Sequence, residues 1–532
     1  MKGPMTSAAA QRQIARGLSI SWVAQFIQIA AGFIVPRWID HGLGRATLGI
    51  WDLGWSFVSY LTLLEAGIGC SVSRHVALYR TSHDQGAINR IVSSVAIVQR
   101  SVSLVILGLT ALIAYTLPHY LHGQPAARVY DGQIMMLVLG LGVALTMSAS
   151  VYTGVLTGCH RWGTHYSIYV STNLMRVIGM CAVLKLGFGI VALAVVHVMG
   201  EALGRVIRAI FCYKVCPGLS IKWRNVDRPT IRSMMSFGGR DFVGRMSQVM
   251  MIQTISILIA SHFGPGALAL FARPRSLVRQ ATVFPQKYAI MLAPAAAALS
   301  ALPNARELKA FVLDSARSGV YVSLPVMVFL AINGEPLLQL WMGHSYADAL
   351  LMLILTFAFT ADIVYQPLSN LLLGLNLHGR PGVVAAIGAG VAIALASIAL
   401  HFGYGLRAVA MSMAIPWTLV NGVYLPLFTC HRLKIPVWEF LSHVWTRPLL
   451  CSLPFALALA LGRAMFSHSD VLGLVAGGLL GGMVLAICYW IWVLPVKWKQ
   501  RITGRFSNRG ADSTELVEPA AEAALKQVVA AD

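Results

Sequence analysis

The sequence is short of charged residues, and above all of acidic ones. Of its 532 residues 11% are charged and 57% are hydrophobic, and 20 Asp and Glu stand against 41 Lys and Arg. A soluble domain carries roughly 25% charged residues. The composition therefore indicates a polytopic membrane protein. The long apolar segments lack the polar–apolar alternation of a membrane β-barrel, so we expect an all-α fold.

Motifs for on-board chemistry are also missing. Neither GxxxxGK[ST] nor HExxH occurs, so we expect no ATPase, no zinc site and no other cofactor. The eight cysteines are scattered, and only Cys212 and Cys216 lie close together, which favours reduced thiols over a metal site. A membrane glycosyltransferase or ligase is the alternative enzyme class. It is disfavoured because the longest predicted outer loop, near 117–132, is too short for such a site.

Long apolar segments are what the sequence has in abundance. A spanning helix needs about 20 mostly apolar residues, and about fourteen such segments are present. The first is expected to be a helix and not a cleaved leader. The predicted segments are 17–37, 47–73, 91–116, 133–157, 164–185, 189–213, 233–262, 266–300, 312–332, 347–374, 382–402, 405–429, 448–466 and 471–495.

The positive charge is distributed unevenly along the chain. Loop 214–232 holds five Lys and Arg, and the C-terminal tail holds another group from Lys497 to Arg509. Both lie on the side of the N-terminus if the segments alternate in direction. Such an asymmetry is typical of a plasma-membrane protein with both termini in the cytoplasm. It accounts for most of the net charge of +21 without a nucleic-acid partner.

The chain also matches itself. "LTGCHRWG" from Leu156 aligns with "LLGLNLHG" from Leu372, and "KLGFG" from Lys185 aligns with "HFGYG" from His401 at the same offset. "GRATLGIW" from Gly44 aligns with "GPGALALF" from Gly264 at a slightly larger offset. We call the offset from Gly44 to Gly264 the early offset, and the offset from Leu156 to Leu372 the late offset.

The repeat predicts how the chain is organised. Six helices, a basic loop and six more helices predict two bundles in a parallel pseudo-twofold repeat. The predicted units are a bundle over 1–214, a basic cytoplasmic linker over 215–232, a bundle over 233–430, a helical hairpin over 447–495 and a cytoplasmic tail over 496–532.

One apolar stretch concentrates cations. Arg273, Arg275, Arg279 and Lys287 lie in the eighth segment, and no carboxylate occurs between Asp241 and Glu307. Arg275 and Arg279 share a helix face, and like charges at that spacing repel unless an anion lies between them. Two interpretations remain open. The cations either face a cavity that receives an anion, which we favour, or they pair with distant acids.

Other charges at membrane depth are less decisive. Glu201 and Arg205 are four residues apart and are expected to neutralise each other on one helix face. For Arg245 two roles are open, one in a substrate cavity and one in structural pairing. Three acids could couple transport to an ion, although each has a structural alternative: Glu65, Asp241 and Asp362.

Three segments resemble the polysaccharide flippases, which share a superfamily with multidrug/toxin extruders and lipid II flippases. "LGIWDLGWSFVSYLTLLEAGIGCSVSRHVA" (48–77) resembles the second helix of that family. "GEPLLQLWMGHSYADA" (334–349) is similar to its connection between the ninth and tenth helices, and "GVLTGCHRW" (154–162) to the connection after the fourth. The resemblance covers roughly residues 15–495.

The resemblance implies two six-helix lobes with helices 1, 2, 7 and 8 around a central cavity. It also implies alternating access, which moves an undecaprenyl-pyrophosphate-linked oligosaccharide to the periplasmic leaflet of the bacterial inner membrane. Arg273, Arg275 and Arg279 would then meet the pyrophosphate, with Arg37 at the outer end of helix 1. Lys287 and Arg245 complete the candidate set.

Partners and alternatives follow from the same resemblance. Membrane lipids, a polysaccharide polymerase and the export machinery are candidate partners. A lipid II-type flippase is an alternative because it shares the fold and a cationic cavity. A cation-drug antiporter is the other alternative, but such extruders often carry an acid on the first helix, and residues 17–36 contain none.

The first prediction concerns topology. We expect periplasmic signals from reporter fusions after residues 120 and 340, and cytoplasmic signals from fusions after 225 and 510, because the basic loops stay inside. Paired alkaline phosphatase and fluorescent-protein fusions at each position measure this. A cytoplasmic signal at 340 would contradict the parallel repeat.

Overall fold

The computed structural model describes residues 7–493, apart from a few short gaps at 66–67, 83, 122, 291, 301–304 and 467–469. Within the described helices, side-chain positions are not part of the description at 7–19, 65–71, 74, 81, 228, 230, 232–245, 284–285, 305 and 362–365. The described residues form helices and loops and contain no β-strand, as the sequence predicts.

The first seven helices make up the N-terminal half. Long apolar runs favour helices here because a helix satisfies its backbone groups internally, as a membrane requires. Asp84 caps one of them, since its carboxylate accepts a 2.8 Å hydrogen bond from the Ala87 N–H. The helices are α1 (Ser7–Leu43), α2 (Arg45–Thr62), α3 (Ile68–Thr81), α4 (Gln85–Thr116), α5 (Ala126–Gly158), α6 (Trp162–Lys185) and α7 (Ile190–Val215).

The remaining helices repeat this series and add a hairpin. Two π-helical turns interrupt them, Thr418–Tyr424 before α17 and Ser442–Thr446 before α19. The helices are α8 (Arg228–Phe263), α9 (Pro265–Ala281), α10 (Val283–Ala289), α11 (Leu292–Ser300), α12 (Ala305–Met342), α13 (Ala349–Thr360), α14 (Asp362–Gly374), α15 (Gly379–His401), α16 (Leu406–Trp417), α17 (Leu425–Leu433), α18 (Val437–Leu441), α19 (Arg447–Met465) and α20 (Asp470–Trp492).

Helix pairing follows the repeat. In the first half α1 packs along α6, α4 along α5, and α3 along α5. In the second half α8 packs along α15, α12 along α13 and α14, and both α10 and α11 along α14. These are the pairs predicted when the early offset is applied to α1, α3, α4 and the start of α5, and the late offset to the end of α5 and to α6. The unit boundaries themselves stay a prediction, which this pairing supports.

The residues with left-handed backbone conformation carry the same signature. Every described residue with positive φ has a counterpart at the early or the late offset. Only glycine adopts this conformation without strain, yet His160 and Asn376, which are each other's counterparts, have φ values of 58° and 56°. The five pairs are Gly44 with Gly264, Gly123 with Gly343, His160 with Asn376, Gly187 with Gly403, and Gly218 with Lys434.

The predicted fourteen spans are not all continuous helices. Eleven of the described helices are long and apolar enough to cross a membrane. The three other predicted segments, 47–73, 266–300 and 347–374, are each divided into shorter helices. Within 266–300 the cause is proline. Pro285 and Pro294 cannot donate to the carbonyls four residues earlier, and α9 and α10 end at Ala281 and Ala289. The count of fourteen membrane crossings stays a prediction.

The two halves meet where α2 crosses α9. Gly49 lies so close to Pro265 that a Cβ at Gly49 would be 1.7 Å from the Pro265 carbonyl oxygen. By the early offset, α2 and α9 are counterparts. A helix that packs on its own counterpart is the arrangement expected around a twofold axis. The contact therefore lies at the pseudo-symmetry axis between the bundles.

The linker and the hairpin attach by different means. The segment after α7 is hydrogen-bonded to α4, since Asn89 Nδ2 donates to the Gly218 carbonyl at 3.1 Å and Ser94 Oγ accepts from the Asp227 N–H at 2.9 Å. In the hairpin, a Cβ at Gly462 would be 2.4 Å from the Gly477 Cα. Small residues at such a contact let membrane helices approach closely.

A second prediction tests the repeat through its glycine contacts. A Cβ at Gly374 would be 2.2 Å from the Ala293 carbonyl oxygen, and one at Gly158 would be 2.7 Å from the Ser73 carbonyl oxygen, at the counterpart position. We expect Gly374→Ala and Gly158→Ala each to destabilise the fold by about 1–3 kcal/mol through overpacking. Thermal unfolding of the purified protein, followed by size-exclusion chromatography, measures this.

The matched control is Gly390→Ala in α15, where a Cβ would meet no atom within 4 Å. This variant should be at least as stable as the parent because alanine has the higher helix propensity. Equal stability of all three variants would show that the close contacts are absent.

Candidate substrate site between the two helix bundles

Arg273 is the innermost cation of the apolar stretch. It lies in the middle of α9, its side chain is 5% exposed, and it makes an ion pair and hydrogen bond with Asp52 of α2. A charge buried this deeply is retained only when it is paired and hydrogen-bonded. For Arg273 the structure thus realises the interpretation of pairing with a distant acid. The pair joins the two halves next to the crossing of α2 and α9.

Arg275 is held by neutral groups. Its guanidinium donates to Ser256 Oγ of α8 at 2.8 Å and lies 5.5 Å from the ring centroid of Phe271. A hydroxyl and an aromatic face orient a guanidinium without cancelling its charge. The side chain of Arg275 is half-buried.

Arg279 lies one turn further along α9 and is exposed. Residues four apart on a helix have Cβ atoms about 5–6 Å apart, so Arg275 and Arg279 lie on one face. The next residue, Gln280, reaches α1, where its Nε2 would be 3.5 Å from a Cβ at Gly32. The last turn of α9 therefore lies against α1.

Lys287 lies on α10, beyond the break in the eighth segment. Its Nζ is 4.4 Å from the ring centroid of Trp22 and 3.3 Å from the Ser21 carbonyl oxygen, both on α1. Four helices of the two halves, α1, α2, α8 and α9, thus surround the cations together with α10. Asp52 supplies one negative charge to this region, and neutral partners hold Arg275 and Lys287. The arrangement can bind an anion.

One other predicted site residue, Arg37, lies apart from these cations. Arg37 donates a 2.8 Å hydrogen bond to the Leu340 carbonyl of α12. It is fifteen residues from Trp22 on α1, or about 22 Å at 1.5 Å per residue. The remaining four have side chains outside the described part of the chain, so their assignments stay predictions: Glu65, Asp241, Arg245 and Asp362.

The expected partner of Glu201 is wrong. Its carboxylate contacts Arg176 of α6 at 2.6 Å and Arg208 of α7 at 3.9 Å, where Arg205 was expected. Glu201 pairs with a residue of another helix because α6 and α7 pack along each other and bring Arg176 level with Glu201. Sequence spacing within one helix does not reveal such a pairing.

Asp52 is the residue of this arrangement that sequence reasoning missed. It lies inside "LGIWDLGW", an apolar segment already chosen for its resemblance to the second helix of polysaccharide flippases. An acid at membrane depth needs a partner, and that rule was the available signal. Nothing in the sequence positions of Asp52 and Arg273, which lie on different halves of the chain, could have paired them.

Comparisons with known proteins agree with this architecture. One similar structure is a multidrug resistance MATE transporter of the MOP superfamily in an inward-facing conformation. Its TM-score is 0.67 at 16% identity, and the match covers 77% of this chain and 94% of the MATE chain. The lipid II flippase MurJ has a TM-score of 0.63 at 16% identity and covers 91% of this chain and all of its own. The fold is therefore that of a MOP-superfamily transporter.

Sequence comparison identifies the family. A Shigella flexneri protein that bears the name of an O-antigen transporter is 21% identical over 334 residues, which are 61% of this chain and 76% of its own. The family model described as polysaccharide biosynthesis protein matches residues 76–351, just over half of the chain. The chain belongs to this family. It is a membrane transporter of the polysaccharide flippase type, not an enzyme, as the resemblance predicts.

A third prediction concerns the buried ion pair. Arg273→Met leaves the Asp52 carboxylate buried without its partner, and removal of one member of such a pair costs about 3–5 kcal/mol. We expect a marked loss of folded protein, measured as membrane level and thermal stability in detergent. The double variant Asp52→Leu/Arg273→Met removes both charges and should recover much of the loss.

Arg407→Met provides the control, since it makes the same substitution in a pair at the surface. Arg407 contacts Asp348 at 3.0 Å, and its side chain is 59% exposed. Exposed ion pairs contribute about 0–1 kcal/mol, so this variant should fold almost normally. If Arg273→Met is as stable as Arg407→Met, the buried pair does not hold the bundles together.

Proposed function

We propose that this transporter moves an undecaprenyl-pyrophosphate-linked oligosaccharide from the cytoplasmic to the periplasmic leaflet of a bacterial inner membrane. The observation that carries the proposal is the cationic end of α9 and α10 between the bundles. Arg275 and Lys287 keep their charge against neutral partners there, and Arg279 is exposed beside them. A pyrophosphate is the anion that a lipid-linked glycan would bring to such a site.

Arginine suits this ligand because its planar guanidinium holds phosphate oxygens in a bidentate manner. Arg275 is oriented in advance by Ser256 and Phe271, so little conformational freedom is lost when it binds. Arg279, one helical turn away, is placed to take the second phosphate. Arg273 is a positioning residue in this scheme, because its charge is committed to Asp52.

Alternating access would require the bundles to rock about the contact between α2 and α9. The close approach of Gly49 to Pro265 provides a pivot without large side chains. The break between α9 and α10 lets Lys287 stay with α1 while Arg279 stays with α9. Arg245 and Arg37 remain proposed members of the cavity, and Glu65, Asp241 and Asp362 remain proposed coupling sites.

The same site also helps to distinguish the proposed function from the alternative functions. A cation-drug antiporter needs a carboxylate available to its substrate, and Asp52 is engaged by Arg273. A lipid II-type flippase would present the same pyrophosphate to the same arginines, so its substrate differs only in the glycan. The match to the polysaccharide biosynthesis family favours a surface or extracellular polysaccharide. Both termini are proposed to be cytoplasmic, on the basic side of the membrane.

The fourth prediction tests the anion contact. Arg279→Ala should leave the level of folded protein unchanged because the side chain is exposed. It should lower polysaccharide export about tenfold or more, since hydrogen bonds to charged groups contribute about 1.5–3 kcal/mol. Arg279→Lys should keep part of the activity, because it retains the charge and loses the planar fork. Surface glycan per unit of transporter in cells measures export.

Arg90→Ala is the matched control, an exposed arginine on α4 whose distance to Asp84 is 3.9 Å. It should export normally. Wild-type export from the double variant Arg275→Ala/Arg279→Ala would overturn the proposed pyrophosphate contact. Unchanged glycan export with failed peptidoglycan synthesis would point to the lipid II alternative.

A further inference from the structure

The second bundle contains a cavity of about 590 Å³ that the cationic site does not use. It is lined by residues of α8, α10, α14 and α15 and of the π-helical turn Thr418–Tyr424. Small-molecule sites span about 300–1,000 Å³, so the volume suits a short oligosaccharide. We call it the amide cavity.

The described lining is uncharged and rich in side-chain amides. It contains no Asp, Glu, Lys or Arg. Each amide offers two donors and one acceptor oxygen, so the set presents both kinds of group from several directions. The lining amides are Gln248, Gln286, Gln366, Asn370, Asn376 and Asn421.

One polar group at the cavity lacks a partner among the described residues. Asn421 is 3% exposed and lines the cavity. The Nδ1 atom of His378, which also lines the cavity, is buried without a partner in the described part of the chain. Buried polar groups without partners are costly. A ligand with many hydroxyl groups would satisfy them.

The backbone places two of these side chains at the cavity. Asn421 and Tyr424 both belong to the π-helical turn, and π-helical segments occur frequently at functional sites. The Tyr424 ring stacks on Phe428 with centroids 5.9 Å apart, which fixes its orientation. Tyr424 thus offers an apolar ring face and a hydroxyl to a ligand.

The first bundle differs at the same place. By the late offset, the counterparts of Asn421 and Tyr424 are Arg205 and Arg208. There the ion pair of Glu201 with Arg176 joins α7 to α6, and Arg208 of α7 adds a second cation beside Glu201. The second bundle carries neutral hydrogen-bonding groups and an open volume where the first carries charges. The contrast marks the amide cavity as specific to one half.

We propose that the amide cavity binds the uncharged sugar part of the transported glycolipid, an inference that rests on the proposed function. Sugar hydroxyls donate and accept hydrogen bonds, as the amides do. A lipid chain would leave the amides without partners, and the described lining offers a phosphate no Lys or Arg. Adjacent residues of α10 divide the two tasks, because Gln286 lines the cavity and Lys287 contacts Trp22 of α1. Glycan and pyrophosphate would therefore bind on different faces of α10, because adjacent residues of a helix point about 100° apart.

Binding of two lipids to the full-length protein in nanodiscs tests this. One probe is undecaprenyl pyrophosphate, and the other is the same lipid bearing a neutral disaccharide. Gln366→Met and Asn421→Leu keep side-chain volume and remove hydrogen-bonding groups. The double variant should weaken binding of the glycosylated lipid about tenfold, because hydrogen bonds to the sugar are lost, and leave binding of the bare lipid unchanged.

The controls separate this proposal from the proposed function. Gln133→Met, which removes a 2.9 Å hydrogen bond to the Ala114 carbonyl in the first bundle, should affect neither probe. Arg279→Ala should weaken both probes; if it weakens neither, the pyrophosphate contact fails while the sugar comparison still stands. Equal affinity of the wild type for both probes, or of the double variant and wild type for the glycosylated lipid, would overturn the sugar site.

Discussion

The buried ion pair between Asp52 and Arg273 is the constraint on which the centre of the molecule depends. Charge in an apolar interior must be matched, and this pair matches one cation of the stretch with an acid from the other bundle. It therefore fixes α9 against α2, while Arg275 and Lys287 keep neutral hydrogen-bond partners. Because Arg273 is committed in this way, the neighbouring face of α9 can be left positive without loss of the helix contact that supports it.

Duplication accounts for the shared backbone of the two halves, and divergence accounts for their different side chains. Counterpart loops share left-handed residues even where one partner is glycine and the other is lysine, as at Gly218 and Lys434. The side chains between these loops have not been kept. One bundle is joined internally by Glu201 and its arginines, whereas the other encloses amides around an open volume. Backbone geometry at the turns was thus retained more strictly than the polarity of the helix faces.

Much of the fold was predictable from the sequence, because composition and period decide membrane helices one at a time. The repeat was readable because turn residues recur at a fixed offset, as in "LTGCHRWG" and "LLGLNLHG". The site was predictable only in part. The like charges of Arg275 and Arg279 on one helix face indicated a site there. The partner of Arg273 could not be identified, since contact between distant helices is absent from local spacing. The amides of the cavity went unnoticed because they are scattered from Gln248 to Asn421 and carry no charge.

The change from the early to the late offset has a mechanical meaning. It falls between the loops at Gly123 and His160 in the first half and at Gly343 and Asn376 in the second. The second half is four residues shorter there, slightly more than one helical turn, so a continuous helix would reach its far loop about 40° out of phase. The second half has a break at Ala361 in this interval, whereas α5 is continuous. The break at Ala361 lets the shorter segment absorb this rotation, so both loops keep their orientation. A continuous helix of the shorter length would instead rotate its far loop.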